Sequence, residues 1–147
     1  MNKKNLNILL ADDDADDRKF FNDALKELNH NVNFIAVNDG EELMEYLGSH
    51  SENLPDVLFL DINMPKKNGY DCLSEIKHNE KLKHLPVVMF STSDSKDKAS
   101  QTFKTGAHVY IRKPNEFVQL VKVIHHALNI STEKRFSNSD LKYILNA

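Results

Sequence analysis

The sequence holds a single cysteine, Cys72, so no internal disulfide can form, and a free cysteine is ordinarily a small buried side chain. It has no tryptophan and no strong excess of either charge. A net charge of −3 offers no footprint for nucleic acid and no basic surface for an anionic membrane. No apolar run approaches the roughly 20 residues that span a bilayer. Met1-Asn2-Lys3-Lys4-Asn5 leads straight into strand-like residues, which is not how a secretory signal is built. Internal repeats and low-complexity segments are missing too. The expectation is a cytoplasmic protein with no membrane association.

What is there has a clear period. The 147 residues suit one domain, large enough to bury roughly two-thirds of its unfolded surface. Leu6 to Ala11 and Val32 to Val37 read as strands, and Phe21, Ala24, Leu25 and Leu28 between them form a helical stripe at i, i+3, i+4 and i+7. Asp39 and Glu42 have capping-box spacing before Leu43 and Leu47, one turn apart. Val57-Leu58-Phe59-Leu60 is an unbroken apolar run bounded by turn residues, as a strand buried on both faces requires. A third helix is predicted from about Tyr70 to His78, with Leu73 and Ile76 inward. Val87 to Phe90 is a fourth strand; Ala99 and Phe103 mark a fourth helix, ended by Gly106. Val109 to Ile111 is a fifth strand, and Phe117, Leu120, Val121, Ile124 and Leu128 line a last helix. Five strands alternating with five helices predict an α/β doubly wound fold with a parallel sheet and right-handed crossovers.

The polar residues stand where those strands end. Asp12 and Asp13 follow the first, Asp61 the third, Ser91 the fourth and Lys113 the fifth. A parallel sheet brings these points to one edge, where ligands bind in open α/β sheets. Three carboxylates together repel one another and hold protons unless a cation joins them. Carboxylate oxygens with waters suit Mg²⁺, which leaves room for substrate phosphate. A carboxylate beside such a metal can attack phosphorus and form an acyl phosphate. The Lys113 ammonium and the Ser91 hydroxyl would then neutralise or bond the phosphoryl oxygens. An EF-hand reading of Asp12, Asp14 and Asp16 fails, because the sixth loop position is Asp17 and the twelfth is Asp23.

Leu-Leu-Ala-Asp-Asp-Asp (9–14), Leu-Asp-Ile-Asn-Met-Pro (60–65) with Gly69, Pro-Val-Val-Met-Phe-Ser-Thr (86–92) and Tyr-Ile-Arg-Lys-Pro (110–114) occur in that order. In this the chain resembles a bacterial two-component response-regulator receiver domain of the stand-alone, single-domain type. The resemblance covers residues 6 to about 130 and implies a five-stranded, flavodoxin-like receiver fold of strand order 2-1-3-4-5. It also implies a phosphorelay protein, not an enzyme, in which Asp61 takes a phosphoryl group from a sensor histidine kinase. Asp13, Asp61 and the backbone carbonyl of Asn63 would bind Mg²⁺, with Asp12 acting through water. Ser91 and Lys113 would contact the phosphoryl group, and Ser91 and Tyr110 would be the switch pair. Lys113–Pro114 would be a cis peptide. Ala15 stands where Pro is frequent, and the style is similar to receivers served by phytochrome-type kinases.

Residues 1–130 are thus expected to be the receiver domain and 131–147 a C-terminal tail too short for a DNA-binding domain. Output is expected through a surface made by the fourth helix, fifth strand and fifth helix. Leu141, Ile144 and Leu145 at i, i+3 and i+4 predict a short amphipathic tail helix, docking on the domain or on a second copy to make a homodimer. The partners that the resemblance implies are a sensor histidine kinase or a histidine phosphotransfer protein, and a downstream protein target. Two alternatives stay open: a relay intermediate that passes the phosphoryl group on, and a receiver-like binding module that is never phosphorylated. A phosphatase with an aspartate nucleophile would need a second Asp where Asn63 stands.

Overall fold

The computed structural model describes residues 5–28, 31–92, 96–132 and 143–145. In chain order the elements are β1 (Leu6–Ala11), α1 (Ala15–Lys26), β2 (Val32–Val37), α2 (Gly40–Ser49), β3 (Val57–Leu60), α3 (Gly69–His78), β4 (Val87–Ser91), α4 (Lys96–Thr105), β5 (Val109–Arg112), α5 (Phe117–Ser131) and β6 (Tyr143–Leu145). The sheet order is β2-β1-β3-β4-β5-β6, and every pairing is parallel. The expected order 2-1-3-4-5 is therefore present, extended by one strand.

That extra strand corrects the tail expectation. Residues 143–145 form no helix turn; they pair with β5 in the register Val109↔Tyr143, Tyr110↔Ile144 and Ile111↔Leu145. Leu141 lies outside the described residues. A lone turn is a poor helix nucleus, whereas the outer side of β5 presents a row of unpaired main-chain groups. A Tyr-Ile-Leu run is well suited to fill it.

Local capping explains where the helices begin. The Asp14 carboxylate accepts from the N–H groups of Asp16 (2.8 Å) and Asp17 (3.1 Å), fixing the first turn of α1. Asp39 accepts from Glu42 N–H at 2.8 Å, while Glu42 reaches back to Asn38 N–H at 3.1 Å, one residue before the expected capping-box partner. Asn68 caps α3 through Asp71 N–H at 3.0 Å. Gly106, at φ 126°, ends α4 with its N–H on the carbonyls of Thr102 and Phe103, and its missing side chain leaves space for the stem of Lys77.

The period-two alternation of β1 divides the core into two layers. Leu9 and Ala11 face α2, α3 and α4 with Leu43, Leu47, Leu73 and Ile76; Ile8 and Leu10 face α1 and α5 with Phe21, Leu25, Ile124 and Leu128. Val57, Leu58, Phe59 and Leu60 are each 0% exposed, so β3 is the dry centre of the molecule. The next residue along is Asp61. No helix among the described residues is long and apolar enough to cross a membrane.

Candidate functional site

Register places the polar residues together. Ala11 pairs with Leu60 and Ser91 with Arg112, so the chain leaves β1, β3, β4 and β5 along one edge of the sheet. Asp12 N–H donates to Val37 O at 3.1 Å and Asp61 N–H to Ala11 O at 3.0 Å, which extends the ladder to the rim. Ligand oxygens of Asp12, Asp13 and Asp61 all lie within 4.8 Å of one another. Asp12 is 0% exposed and Asp61 is 6% exposed, while Asp13 is open to solvent. Ser91 is buried at the end of β4, and Tyr110 is buried one strand over among the residues facing α4.

Lys113 ties this edge into one electrostatic unit. Its Nζ lies 2.7 Å from Asp12 Oδ2, 3.0 Å from Asp17 Oδ2 and 3.6 Å from Asp61 Oδ2, and 5.3 Å above the Phe90 ring. Burial alone would lower the ammonium pKa, but the hydrogen bond to Asp12 and the charges of Asp61 and Asp12 outweigh it and raise the value. Burial pushes the Asp61 carboxyl up to about 6 against the opposing pull of Lys113, with Asp12 and Asp13 adding repulsion. Burial also raises Asp12, offset in part by its bond to Lys113. The aspartates are thus short of positive charge. Clustered hard oxygen donors short of positive charge fit a small divalent cation.

The loop after β3 is held in place by two glycines and a strained turn. A Cβ on Gly69 would collide with the Asp61 carbonyl, and one on Gly40 would collide with the Lys67 carbonyl. Only glycine lets the loop fold this close to α2 and to its own strand. Between them Lys66 sits at φ 67°, with Lys67 N–H donating to Pro65 O at 2.7 Å, a γ-turn of the strained sense. Lys66 Nζ is 3.7 Å from Asp39 Oδ2, tying the turn to the cap of α2.

Two features depart from expectation. No peptide bond among the described residues is cis, so Lys113–Pro114 is trans, the form X–Pro bonds ordinarily take. Asp17 and Arg18 also belong to the site: Asp17 pairs with Lys113, and Arg18 Nη1 donates to Asp12 O at 2.8 Å. Their signal was hidden in a run of acids that reads as a helix start.

The family model for the response regulator receiver domain matches residues 8–125. The chain belongs to the response-regulator receiver family. As a receiver it is a component of two-component signalling, a family whose role is signal transfer and not catalysis. Response regulator Rcp1 of Synechocystis sp. is 31% identical over 80% of this chain and 82% of its own length. Two-component response regulator ORR12 of Oryza sativa subsp. japonica is 34% identical over 81% and 95%. Among solved structures, the phosphorylated cyanobacterial phytochrome response regulator RcpA superposes with a TM-score of 0.76 at 31% identity, covering 84% of this receiver and 91% of RcpA. The Mn²⁺-bound form of Rcp1 gives 0.76 at 28% identity, covering 88% and 96%.

Proposed function

We propose that this receiver accepts a phosphoryl group on Asp61 from the phosphohistidine of a sensor histidine kinase of the phytochrome type, in the cytoplasm. The observation that carries the reading is the Asp61 carboxylate itself. It directly follows the central strand, lies within 4.8 Å of Asp12 and Asp13, and has the Lys113 ammonium at 3.6 Å. An Asp61 oxygen bonds to phosphorus as the phosphorus–nitrogen bond breaks, and the imidazole nitrogen leaves with the electron pair. Lys113 and Ser91 hold the phosphoryl oxygens in place. Mg²⁺ would be held by Asp13, Asp61 and the Asn63 carbonyl, with Asp12 acting through water, and would neutralise charge at the phosphoryl group. Ser91 drawn to that group leaves room for Tyr110 to shift, which alters the surface of α4, β5 and α5.

Residues 1–130 act as the receiver, and β6, as the outermost strand of the sheet, is the edge on which a second copy would pair. Equal sedimentation of the full chain and a chain ending at Ile130, with and without acetyl phosphate, would sink the pairing.

The acceptor is tested with acetyl phosphate and Mg²⁺, read by intact mass. Wild type is expected to gain one phosphoryl adduct that needs the metal, and Asp61→Asn none. An adduct of equal yield on Asp61→Asn would overturn the assignment.

A further inference from the structure

The ammonium of Lys113 has three N–H donors and three carboxylates around it, and they are not equivalent. Asp12 at 2.7 Å and Asp17 at 3.0 Å are within hydrogen-bond distance, while Asp61 at 3.6 Å is an ion pair only. The resting ammonium is therefore held toward α1, away from the oxygen that receives the phosphoryl group. Asp12 and Asp61 share the acidic cluster with Asp13, so a cation held there would compete with Lys113 for both carboxylates. Asp17 is outside that cluster.

Asp17 is also anchored independently of the site. Its backbone N–H is bonded to the Asp14 cap at 3.1 Å. On the following residues of α1, the Phe20 ring packs against Phe117 at 5.4 Å, and Phe21 packs against Phe59 at 4.9 Å and Phe90 at 5.6 Å. These contacts hold α1 and the Asp17 backbone to the core, so the helix is not carried along with Lys113. With a cation engaging Asp12 and Asp61, Asp17 would be the carboxylate left to compete with the phosphoryl oxygens for the ammonium.

We infer that Asp17 is a positioning residue that restrains Lys113 and thereby slows phosphoryl uptake by Asp61. The inference rests on the proposed phosphoryl transfer and adds to it a brake outside the cation cluster. In the test reaction, an Asp61 oxygen bonds to phosphorus while the bond from phosphorus to the acetate oxygen breaks, and acetate leaves with the electron pair.

The experiment compares wild type, Asp17→Asn, Asp16→Asn and Asp17→Glu, all full length, by the initial rate of the acetyl phosphate adduct at saturating Mg²⁺. Asp16→Asn is the matched control: it removes the same charge from the same helical turn, one residue earlier, at an exposed position. Melting curves of the four proteins check that the fold is intact. Asp17→Asn is expected to react about fivefold faster than Asp16→Asn, the worth of a partly exposed ion pair, with Asp17→Glu returned toward wild type. Equal rates for the two asparagine variants, or a slower Asp17→Asn, would overturn the brake while leaving the acceptor assignment standing. If wild type takes up neither acetyl phosphate nor the beryllofluoride mimic, the reading beneath the inference fails, and the inference with it.

Discussion

The two faces of the sheet are built on different terms. The face under α1 and α5 is locked by rings: Phe21 stacks on Phe34 at 5.7 Å and meets Phe59 and Phe90 edge-on at 4.9 and 5.6 Å. Phe20 and Phe117 join the two helices at 5.4 Å. Apart from the Ser131 hydroxyl on α5, buried without a hydrogen bond among the described residues, the awkward groups lie on the face under α2, α3 and α4. There Lys66 holds a left-handed backbone, the Tyr70 hydroxyl is buried without a hydrogen bond among the described residues, and burial lowers the Lys77 ammonium to about 8. Apolar interlock resists displacement, whereas strained or unpaired groups lower the cost of leaving one arrangement for another. One face is a frame on which Asp12, Asp17 and Lys113 are set. The other is where Ser91 and Tyr110 would move.

The largest break in this contrast comes from the ring cluster. Phe21 is 0% exposed and touches three other rings, so Phe21→Ala is expected to cost about 3–5 kcal/mol in chemical denaturation. A loss under about 1 kcal/mol would mean that the frame is no better packed than a surface helix.

The rim between the faces has the opposite sign. Asp61 has a folded-state pKa of about 6 against an ordinary value of 3.8, so the folded protein holds that proton more tightly than the unfolded chain. Its contribution is most favourable below the unfolded value and is lost as pH rises through about 6. Without added divalent cation, Asp61→Asn is therefore expected to be more stable than wild type at pH 8, by up to about 3 kcal/mol. The gap should close below about pH 4. Urea melts of both proteins across that range check it, and a gap that does not change with pH would remove burial as its cause.

Much of this was legible in the chain because it is local or periodic. Val57 to Leu60 reads as a doubly buried strand from four apolar residues, and a carboxylate directly after such a strand can only stand at a rim. Asp12, Asp61 and Lys113 follow from that rule applied to successive strands. What was not legible depends on contacts distant in sequence or on small energy differences. Nothing local marks which acid of Asp12 to Asp17 meets a lysine 96 residues away. Tyr143 to Leu145 becomes a strand because β5 has an open side, and five residues cannot distinguish that from one helical turn. The trans Lys113–Pro114 bond reflects a preference of only about 0.5–1 kcal/mol, beyond what residue identity decides. Gly40 reads as a helix start, yet its close approach to Lys67 spans the gap between α2 and the β3–α3 loop.

The smallest expected effect sharpens the contrast most directly. Tyr70 stands in the first turn of α3, with its ring packed against the core and its hydroxyl sealed from solvent. Burial raises its pKa, with a further push from Tyr110, so the two phenols are neighbours in this layer. A buried hydroxyl that makes no bond costs its desolvation and returns nothing, so replacing it with hydrogen removes a cost without removing a contact. Tyr70→Phe is expected to leave stability unchanged or raise it by up to about 1 kcal/mol in urea melts. On the ring-locked face a loss of ring atoms should destabilise; here a loss of one oxygen should not. A destabilisation above about 1 kcal/mol would show that the hydroxyl is bonded, and that the α3 side of the sheet is held as firmly as the other.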